Sequence, residues 1–284
     1  MTIYAICGAS GQLGHLVLDA LLRKVPAANV VALARDPAKL ADYAAKGVEV
    51  RAADYDAPET LAPALAGVDR LLLISGSAIG QRPRQHQAVI DAAKQAGVGY
   101  MAYTSILHAD RSPIKLGEEH RQTEAALAAS GLSYDVLRNG WYNENYTFSL
   151  PAQIEAGVIT GAQGDGRINS ASRKDLAEGA AAVLLDGKGG DIYELAGDKG
   201  WTLAEFAKEL SRQSGKPVTY VNMGEEEYAQ SLIAAGFPEY AARVIANSAY
   251  STSLGALEET GGTLGKLIGR PTTPIAETIA EALR

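Results

Sequence analysis

Cysteine is nearly missing from this chain: of 284 residues, Cys7 alone is one. No internal disulfide is therefore available, and Cys7 reads as a small buried hydrophobe rather than a reactive thiol. Histidine is scarce as well, with four scattered copies, so no ligand spacing suggests a metal site. No apolar run is long enough to span a bilayer, which argues against membrane insertion. Positive charge is in deficit, and the net charge of −7 argues against a general nucleic-acid binder, which needs a basic face. The first residues lack a basic region followed by an apolar signal core, so the expected location is cytoplasmic. What is present is ordinary globular composition, 47% hydrophobic and 21% charged, in a chain able to bury a large core as one large or two modest domains.

Against those absences stands a regular alternation. Apolar, β-rich runs recur at Ile3–Cys7, Val30–Leu33, Val48–Val50, Leu71–Ile74, Tyr100–Tyr103, Tyr134–Leu137 and Ile192–Leu195. Segments of helical spacing separate most of them, such as Leu13, Val17, Ala20 and Leu21, then Val89, Ile90 and Ala93, then Ala125, Leu127 and Ala128, and the alanine-rich Asp175 to Leu185. Gly47, Gly67, Gly97 and Gly131 each stand just before a strand, where helix C-caps belong. Strands alternating with helices predict an α/β fold, a Rossmann-type doubly wound parallel sheet of seven strands covered on both faces. Residues 1–145 and 172–198 are expected to form this nucleotide-binding domain. Residues 146–171 and 199–284 read as a smaller, mainly helical C-terminal domain. Its signals are a capping-box pattern at Thr202-Leu203-Ala204-Glu205, a helix from Glu225 to Ala235, and a cap with a first-turn proline at Thr273-Pro274 before a helix from Ile275 to Leu283.

The chemistry begins where Gly8, Gly11 and Gly14 fall three apart between a strand and a helix. Such a turn needs unusual backbone angles and lets a phosphate approach the main chain, where the free N–H groups of a helix start attract anions. Gly8, Ser10, Gly11, Gln12 and Leu13 are thus candidate contacts to a dinucleotide pyrophosphate, although a glycine-rich turn can equally serve only to reverse the chain. In a sheet of this kind ligands lie beyond the carboxyl ends of the strands. There the second strand delivers Arg35, twenty-one residues past Gly14, close to where an NAD-binding protein keeps an acid for the ribose 2′-hydroxyl. A guanidinium at that place pairs with a 2′-phosphate and favours NADP, taken up as NADPH, while Asp36 next door keeps NAD open. The third strand delivers Asp54, either to an adenine amino group or as the cap of a helix starting near Pro58. The fourth delivers Ser75-Gly76-Ser77, small residues that let a ribose pass or simply turn the chain.

These segments and others carry a family resemblance. Cys7 to Gly14, Ile79-Gly80-Gln81-Arg82, Ala102-Tyr103-Thr104-Ser105 with Leu107-His108-Ala109-Asp110, Leu137-Arg138-Asn139-Gly140-Trp141-Tyr142, and Leu267 to Thr273 together resemble the NmrA-like group of atypical short-chain dehydrogenases/reductases over nearly the whole chain. Cys7 departs from the pattern, since threonine is common before the first glycine. The resemblance implies NADPH-dependent two-electron reduction of quinones on a Rossmann domain with a small helical lid. It also implies that the loop Arg138 to Asn145, leaving the sixth strand, reaches over the nicotinamide and its ribose, which adds Arg138, Asn139, Gly140, Trp141 and Tyr142 to the cofactor contacts, with Thr104 of the Ala102–Ser105 motif as a further one. By their own chemistry Asn139, Trp141, Tyr142, Asn143, Asn145 and Tyr146 mix flat surfaces with amides, suited to stacking a planar quinone and hydrogen-bonding its oxygens, or to packing a hinge.

A proton donor is harder to find. Ordinary members of the superfamily use a tyrosine and a lysine four residues later, and no lysine of this chain has a tyrosine four positions before it. His120 stands near the lysine's place, with Leu116 where the tyrosine would be. A quinone tolerates the loss, because hydride addition gives an aromatic hydroquinone anion far less basic than an alkoxide, and positioning then matters more than general acid catalysis. Tyr103, His120 and Asn143 are the candidate catalytic residues, with Thr104, Ser105 and His108 as further hydrogen-bond donors; a structural contact is the competing reading of both histidines. The expected function is an NADPH:quinone oxidoreductase acting on a small quinone, with no nucleic-acid partner and a homodimer left open. A non-catalytic, NADP(H)-sensing regulator is the alternative, and a reductase of carbon–carbon double bonds is a third reading.

Overall fold

Each expected strand forms from the run that predicted it. The computed structural model describes all residues, 1–284. Its strands are β1 (Tyr4–Cys7), β2 (Val30–Ala34), β3 (Glu49–Ala52), β4 (Arg70–Leu73), β5 (Tyr100–Ile106), β6 (Ser133–Asn139), β7 (Val158–Gly161), β8 (Ile192–Leu195) and β9 (Thr219–Asn222). Seven of them make one sheet in the order β3-β2-β1-β4-β5-β6-β8. The ladders from β3 through β6 are all parallel, with Tyr4 opposite Val30 on one side and Arg70 on the other. Parallel pairing requires crossovers. These contain α1 (Gln12–Leu22), α2 (Ala41–Ala45), α3 (Leu61–Ala64), α4 (Arg82–Ala96) and α5 (Gly117–Ser130). Every position of β2 and β5 is buried, as expected of strands covered on both faces.

The order of the strands places the ligand edge. From β1 the chain moves outward through β2 to β3, then returns to the other side of β1 and continues through β4 and β5 to β6. That reversal opens a crevice beyond the carboxyl ends of β1 and β4.

By its contacts the chain divides into two compact units, Met1–Ile106 with Glu119–Asn139 and Arg173–Tyr193, and Leu107–Glu118 with Gly140–Ser172 and Glu194–Arg284. The expected boundaries assigned 107–118, 140–145, 172 and 194–198 to the sheet. These stretches group with the second unit instead: 107–118 and 140–145 follow the ends of β5 and β6, while Glu194 and Leu195 stay in the sheet as the end of β8 although their contacts fall with the second unit. The second unit holds α6 (Glu144–Thr147), α7 (Leu150–Ala156), α9 (Leu203–Ser214), α10 (Glu225–Ala234), α11 (Glu239–Ser253), α12 (Thr263–Ile268) and α13 (Ile275–Ala282), while α8 (Arg173–Asp186) belongs to the first unit and packs on α1. The capping box forms: Thr202 Oγ1 accepts the Glu205 N–H at 3.2 Å and Glu205 Oε2 accepts the Thr202 N–H at 2.9 Å. The cap expected at Thr273 shifts by one residue, since Pro274 in an extended conformation precedes the first helical residue, Ile275. A two-stranded parallel sheet of β7 and β9, with Val158 opposite Thr219, was not anticipated from the sequence.

At the end of the sheet remote from the crevice, a polar knot fixes the central strands. Tyr100 O–H donates to Asp135 Oδ2 at 2.7 Å, and the Asp191 N–H donates to Asp135 Oδ1 at 2.9 Å. The Arg70 guanidinium lies 3.8 Å from the centre of the Tyr100 ring and donates to the Leu184 carbonyl at 2.6 Å. Asp135 has no solvent exposure, so this carboxylate depends on those donors. Tyr100→Phe should lower stability by about 1–3 kcal/mol in urea titration, the range for stranding a buried acceptor. An unchanged midpoint would show that the knot is not holding the strand bases.

Candidate cofactor and active site

The turn after β1 is sterically closed. Gly8 takes φ +76°, and a side chain at Gly14 would begin 2.4 Å from the Gly8 carbonyl oxygen. The Gly11 N–H donates to Gly8 O at 3.0 Å and the Ala9 N–H to Leu33 O at 3.1 Å, so the turn is braced from both sides. Gly11 is the N-cap of α1 and no side chain caps the helix, which leaves its first amides for an anion. Ser10 is half-buried, Gly11 and Gln12 are exposed, and Leu13 is buried, so Leu13 offers the turn its backbone only. The Tyr55 hydroxyl lies 3.8 Å from where a Gly8 side chain would start and is buried with no partner stronger than the Cys7 thiol. Burial pushes that thiol up to about 12, which makes Cys7 the inert hydrophobe expected.

Beyond β2 the two competing groups part company. Asp36 Oδ1 accepts the Ala38 N–H at 3.1 Å and caps the short helix that follows. Arg35 is exposed and its side chain bonds to no other residue. Asp54 does not take the capping role expected of it: its Oδ1 accepts the Asp56 N–H at 3.0 Å, and Ala57, not Asp54, precedes the turn at Pro58. Hydrogen bonds from Gln85 and Arg84, then the charges of Arg84 and Arg35, hold the Asp56 carboxyl below the usual carboxylate range.

The loop after β4 is fastened by a network that the sequence did not reveal. Thr104 Oγ1 accepts the Ser75 N–H at 2.9 Å, which accounts for the buried Thr104 side chain. The Gly76 N–H donates to His86 Nε2 at 3.1 Å; the ring proton must then sit on Nδ1, which donates to Thr123 Oγ1 at 2.9 Å, and Thr123 donates to the Glu119 carbonyl at 3.0 Å. Arg82 Nη1 pairs with Glu119 Oε2 at 3.1 Å, and Glu119 Oε1 accepts the Gly80 N–H at 2.5 Å. His86 shares the buried stripe of α4 with Val89, Ile90 and Ala93. A histidine in that apolar pattern was the available signal.

Tyr103 and His120 meet in the same interior. Tyr103 O–H and His120 Nδ1 are 2.8 Å apart, Tyr103 has no exposure and His120 only 6%. Burial, foremost, raises the Tyr103 hydroxyl above the ordinary tyrosine range, against the hydrogen bonds of Thr123 and Ser75. Burial, then the charge of Arg82, pushes His120 down to about 3. His86 is pushed down to about 4 by the same two causes. Arg138 is occupied too, with Nη2 on Glu124 Oε2 at 2.8 Å, while Ser105 Oγ donates to Glu124 Oε1. Asn139, the last residue of β6, is 6% exposed, and neither its Oδ1 nor its Nδ2 has a partner.

The remaining expected residues lie in the second unit. Gly140 donates its N–H to Leu195 O at 2.7 Å, and Trp141 and Tyr142 are half-buried beside Ala171, whose N–H donates to Trp141 O at 3.1 Å. Asn143 is fully buried: Nδ2 donates to Thr278 Oγ1 at 2.9 Å and Oδ1 accepts from Ser170 Oγ at 2.6 Å. It therefore has no surface to offer a substrate. Tyr146 stacks edge-on to Trp201 at 4.7 Å inside the same unit. His108 adopts φ +53° and is tied down by its neighbours, with Nδ1 accepting from Arg111 and Nε2–H donating to Glu258 O at 3.0 Å.

The residues of the first unit fit a dinucleotide phosphate, because uncapped helix amides, a side-chain-free corner, an unengaged guanidinium and an orphaned amide lie along or near one edge. His86 and His120 also set a pH dependence. Both titrate below the ordinary value of 6.5, so as pH falls the unfolded chain takes protons first. Stability is full above about pH 7 and is withdrawn as pH falls from about 6.5 through about 4 for His86 and about 3 for His120. The urea midpoint should fall across that window, and His86→Gln should flatten part of the slope. A midpoint that stays level from pH 7 to 4.5 would count against neutral interior histidines.

The chain matches the NAD(P)H-binding family over residues 8–187. It is 52% identical over 277 residues to quinone oxidoreductase 2 of Escherichia coli (strain K12), covering 97% of each chain. It is 30% identical to the NAD(P)H azoreductase of Xenophilus azovorans, over 96% of this chain and 95% of that one. Among solved structures, the NADPH complex of the E. coli NADPH-dependent quinone oxidoreductase superposes with a TM-score of 0.97 at 51% identity over 99% of this chain and all of that one. The Citrobacter sp. triphenylmethane reductase complexed with NADP(H) superposes with a TM-score of 0.94 at 40% identity, over 98% and 99% of the two chains. Sheet order, glycine corner and full-length similarity agree: this chain belongs to the NAD(P)H-binding family, as one of its NmrA-like members.

Proposed function

We propose that the protein is a cytoplasmic, NADPH-dependent oxidoreductase that reduces quinones to hydroquinones by two-electron transfer. The observation that carries this reading is the end-to-end similarity to the E. coli quinone oxidoreductase, and it favours an enzyme over a sensing regulator. The site chemistry supports the same cofactor. Asp36 spends its carboxylate on Ala38, so Arg35 is the group left for a 2′-phosphate.

Bound NADPH supplies a hydride and carries two electrons with it. The Ala9 and Gly11 amides are held within the turn, so the uncapped amides that open α1, from Gln12 and Leu13, would take the pyrophosphate. Thr104 holds the Ser75 main chain, and His86 with the Arg82–Glu119 pair holds Gly76 and Gly80, so that Ser75-Gly76-Ser77 keeps a fixed wall for a ribose. Trp141 and Tyr142 offer flat surface to a planar substrate. The first unit is assigned the cofactor and the second the substrate lid, the division expected from sequence shifted to the units described above. Tyr103 and His120 are assigned to holding rather than to proton exchange, because burial keeps both neutral and away from solvent. Asn143 is likewise assigned to bracing the second unit. Water then protonates the hydroquinone anion, whose aromaticity makes a strong acid unnecessary.

Mixed with a simple benzoquinone or naphthoquinone, the protein should consume NADPH, read at its absorbance band, one per hydroquinone formed. Protein that binds NADPH yet oxidises it no faster than the buffer does would remove the proposal. Arg35→Asp should weaken NADPH binding by about tenfold or more while leaving NADH nearly unchanged, the scale of a charge-assisted contact; equal loss for both would show that Arg35 does not read the phosphate. Tyr103→Phe should keep kcat within about threefold, whereas a general acid would lose about a hundredfold or more.

A further inference from the structure

We propose that the outer edge of β9 pairs antiparallel with the same edge of a second copy of this chain, so that the small sheets of two molecules become one. The sheet of β7 and β9 has only two strands, and β9 is its more exposed member. Thr219 and Met223 donate their N–H groups to the Gly157 and Gly161 carbonyls at 3.1 and 2.8 Å, on the β7 side. Alternation along the strand turns the N–H and C=O groups of Tyr220 and Asn222 the other way, where no residue of the chain bonds them. At Val218 the edge is already closed, because Ser211 Oγ accepts the Val218 N–H at 2.8 Å. The open stretch is therefore Tyr220 to Asn222. The outer strands of the main sheet carry charges that discourage such pairing, Glu49 and Arg51 on β3, then Asp191 and Glu194 at β8. By contrast β9 reads Thr219-Tyr220-Val221-Asn222, uncharged, with Val221 45% exposed.

The edge is complementary to itself. A two-fold axis beside Val221 sets Val221 opposite Val221 and Tyr220 opposite Asn222. The outward groups of Tyr220 and Asn222 then bond across the axis, and the exposed valines meet in the pair without hydrogen bonds, where side chains come closest. Charge selects the direction and the partner. Lys216 is exposed just before the strand, and Glu226 and Glu227 are exposed just after it. Antiparallel copies bring each Lys216 towards Glu226 and Glu227 of the second copy, whereas parallel copies would set like charges together. A strand of another protein would gain the main-chain bonds without the matched charges at both ends. So short an edge covers less than the about 1,200 Å² of a standard interface, which makes the pairing reversible, with a Kd of about 10–100 μM.

Sedimentation velocity on the full chain, from about 5 to about 500 μM so as to bracket that Kd, tests the pairing. The wild type should move from monomer towards dimer across the range. Val221→Lys sets like charges opposite each other on the axis and should weaken association by about tenfold or more, while a surface change of this kind leaves the Tm within about 3 °C. Lys216→Glu and Glu227→Lys should each weaken association by about threefold. An equimolar mixture of those two variants should associate as the wild type does, because opposite charges then meet at both ends. A wild type still monomeric at about 500 μM would overturn the proposal and leave the edge to a strand of some other protein. A dimer untouched by Val221→Lys would place the interface elsewhere and overturn it as well. Charge variants that change nothing, or a mixture that fails to recover, would overturn the antiparallel register. Should Val221→Lys lower the Tm further, the mixture decides alone.

Discussion

The contact between Gly14 and the Gly8 carbonyl is the constraint on which the rest of the first unit depends. With no space for even a methyl group at Gly14, α1 can lie directly against the turn that ends β1. That approach aims the helix start at the crevice and fixes the level at which every other strand end must present its residues. Arg35 beyond β2 and Ser75 beyond β4, the residues proposed to meet the cofactor, lie at strand ends on either side of that corner. A larger residue at Gly14 would push helix from strand, and the site would lose its origin.

Polar groups are distributed unequally about the sheet. At the remote end Tyr100, Asp135 and Arg70 form a knot in which the buried carboxylate finds donors. Nearer the crevice, His86, Thr123, Glu119 and Arg82 clamp the loop after β4, again with each role satisfied inside the protein. Such closed networks stiffen the frame because each member would be left stranded by any movement. Of the residues with unpartnered buried atoms, Tyr55 lies instead beside the glycine turn and Asn139 at the end of β6, while Asn29, Gln153 and Gln163 lie elsewhere in the chain. Rigidity is placed behind the site and unmet hydrogen-bonding capacity at its edge.

What could be read in advance follows the same physics. Strands buried on both faces are near-continuous apolar runs, so β2 and β5 stood out in the sequence, while the edge strands β3 and β8, largely half-buried or exposed, were found from shorter runs. The β7 and β9 strands have four residues each, β9 being largely exposed, and carried no such mark. Arg35 and the glycines were legible because a turn and a strand end announce their own position. The commitments of Asn143 to Thr278, 135 residues away, and of Arg138 to Glu124 were not, since a hydrogen bond across the fold leaves no local pattern. Tyr103 and His120 were recognised as chemically capable groups, while their isolation from solvent emerged only with the packing around them.

The first unit is assembled from three separate stretches of chain, the last of them Arg173–Tyr193. During synthesis the strand β6 is therefore finished about fifty residues before β8, its neighbour at the sheet's edge, has been made. Through that interval β6 presents a bare row of amides and carbonyls, the kind of edge that pairs with other nascent chains. The order in which the ribosome releases this protein thus works against the sheet that it must form.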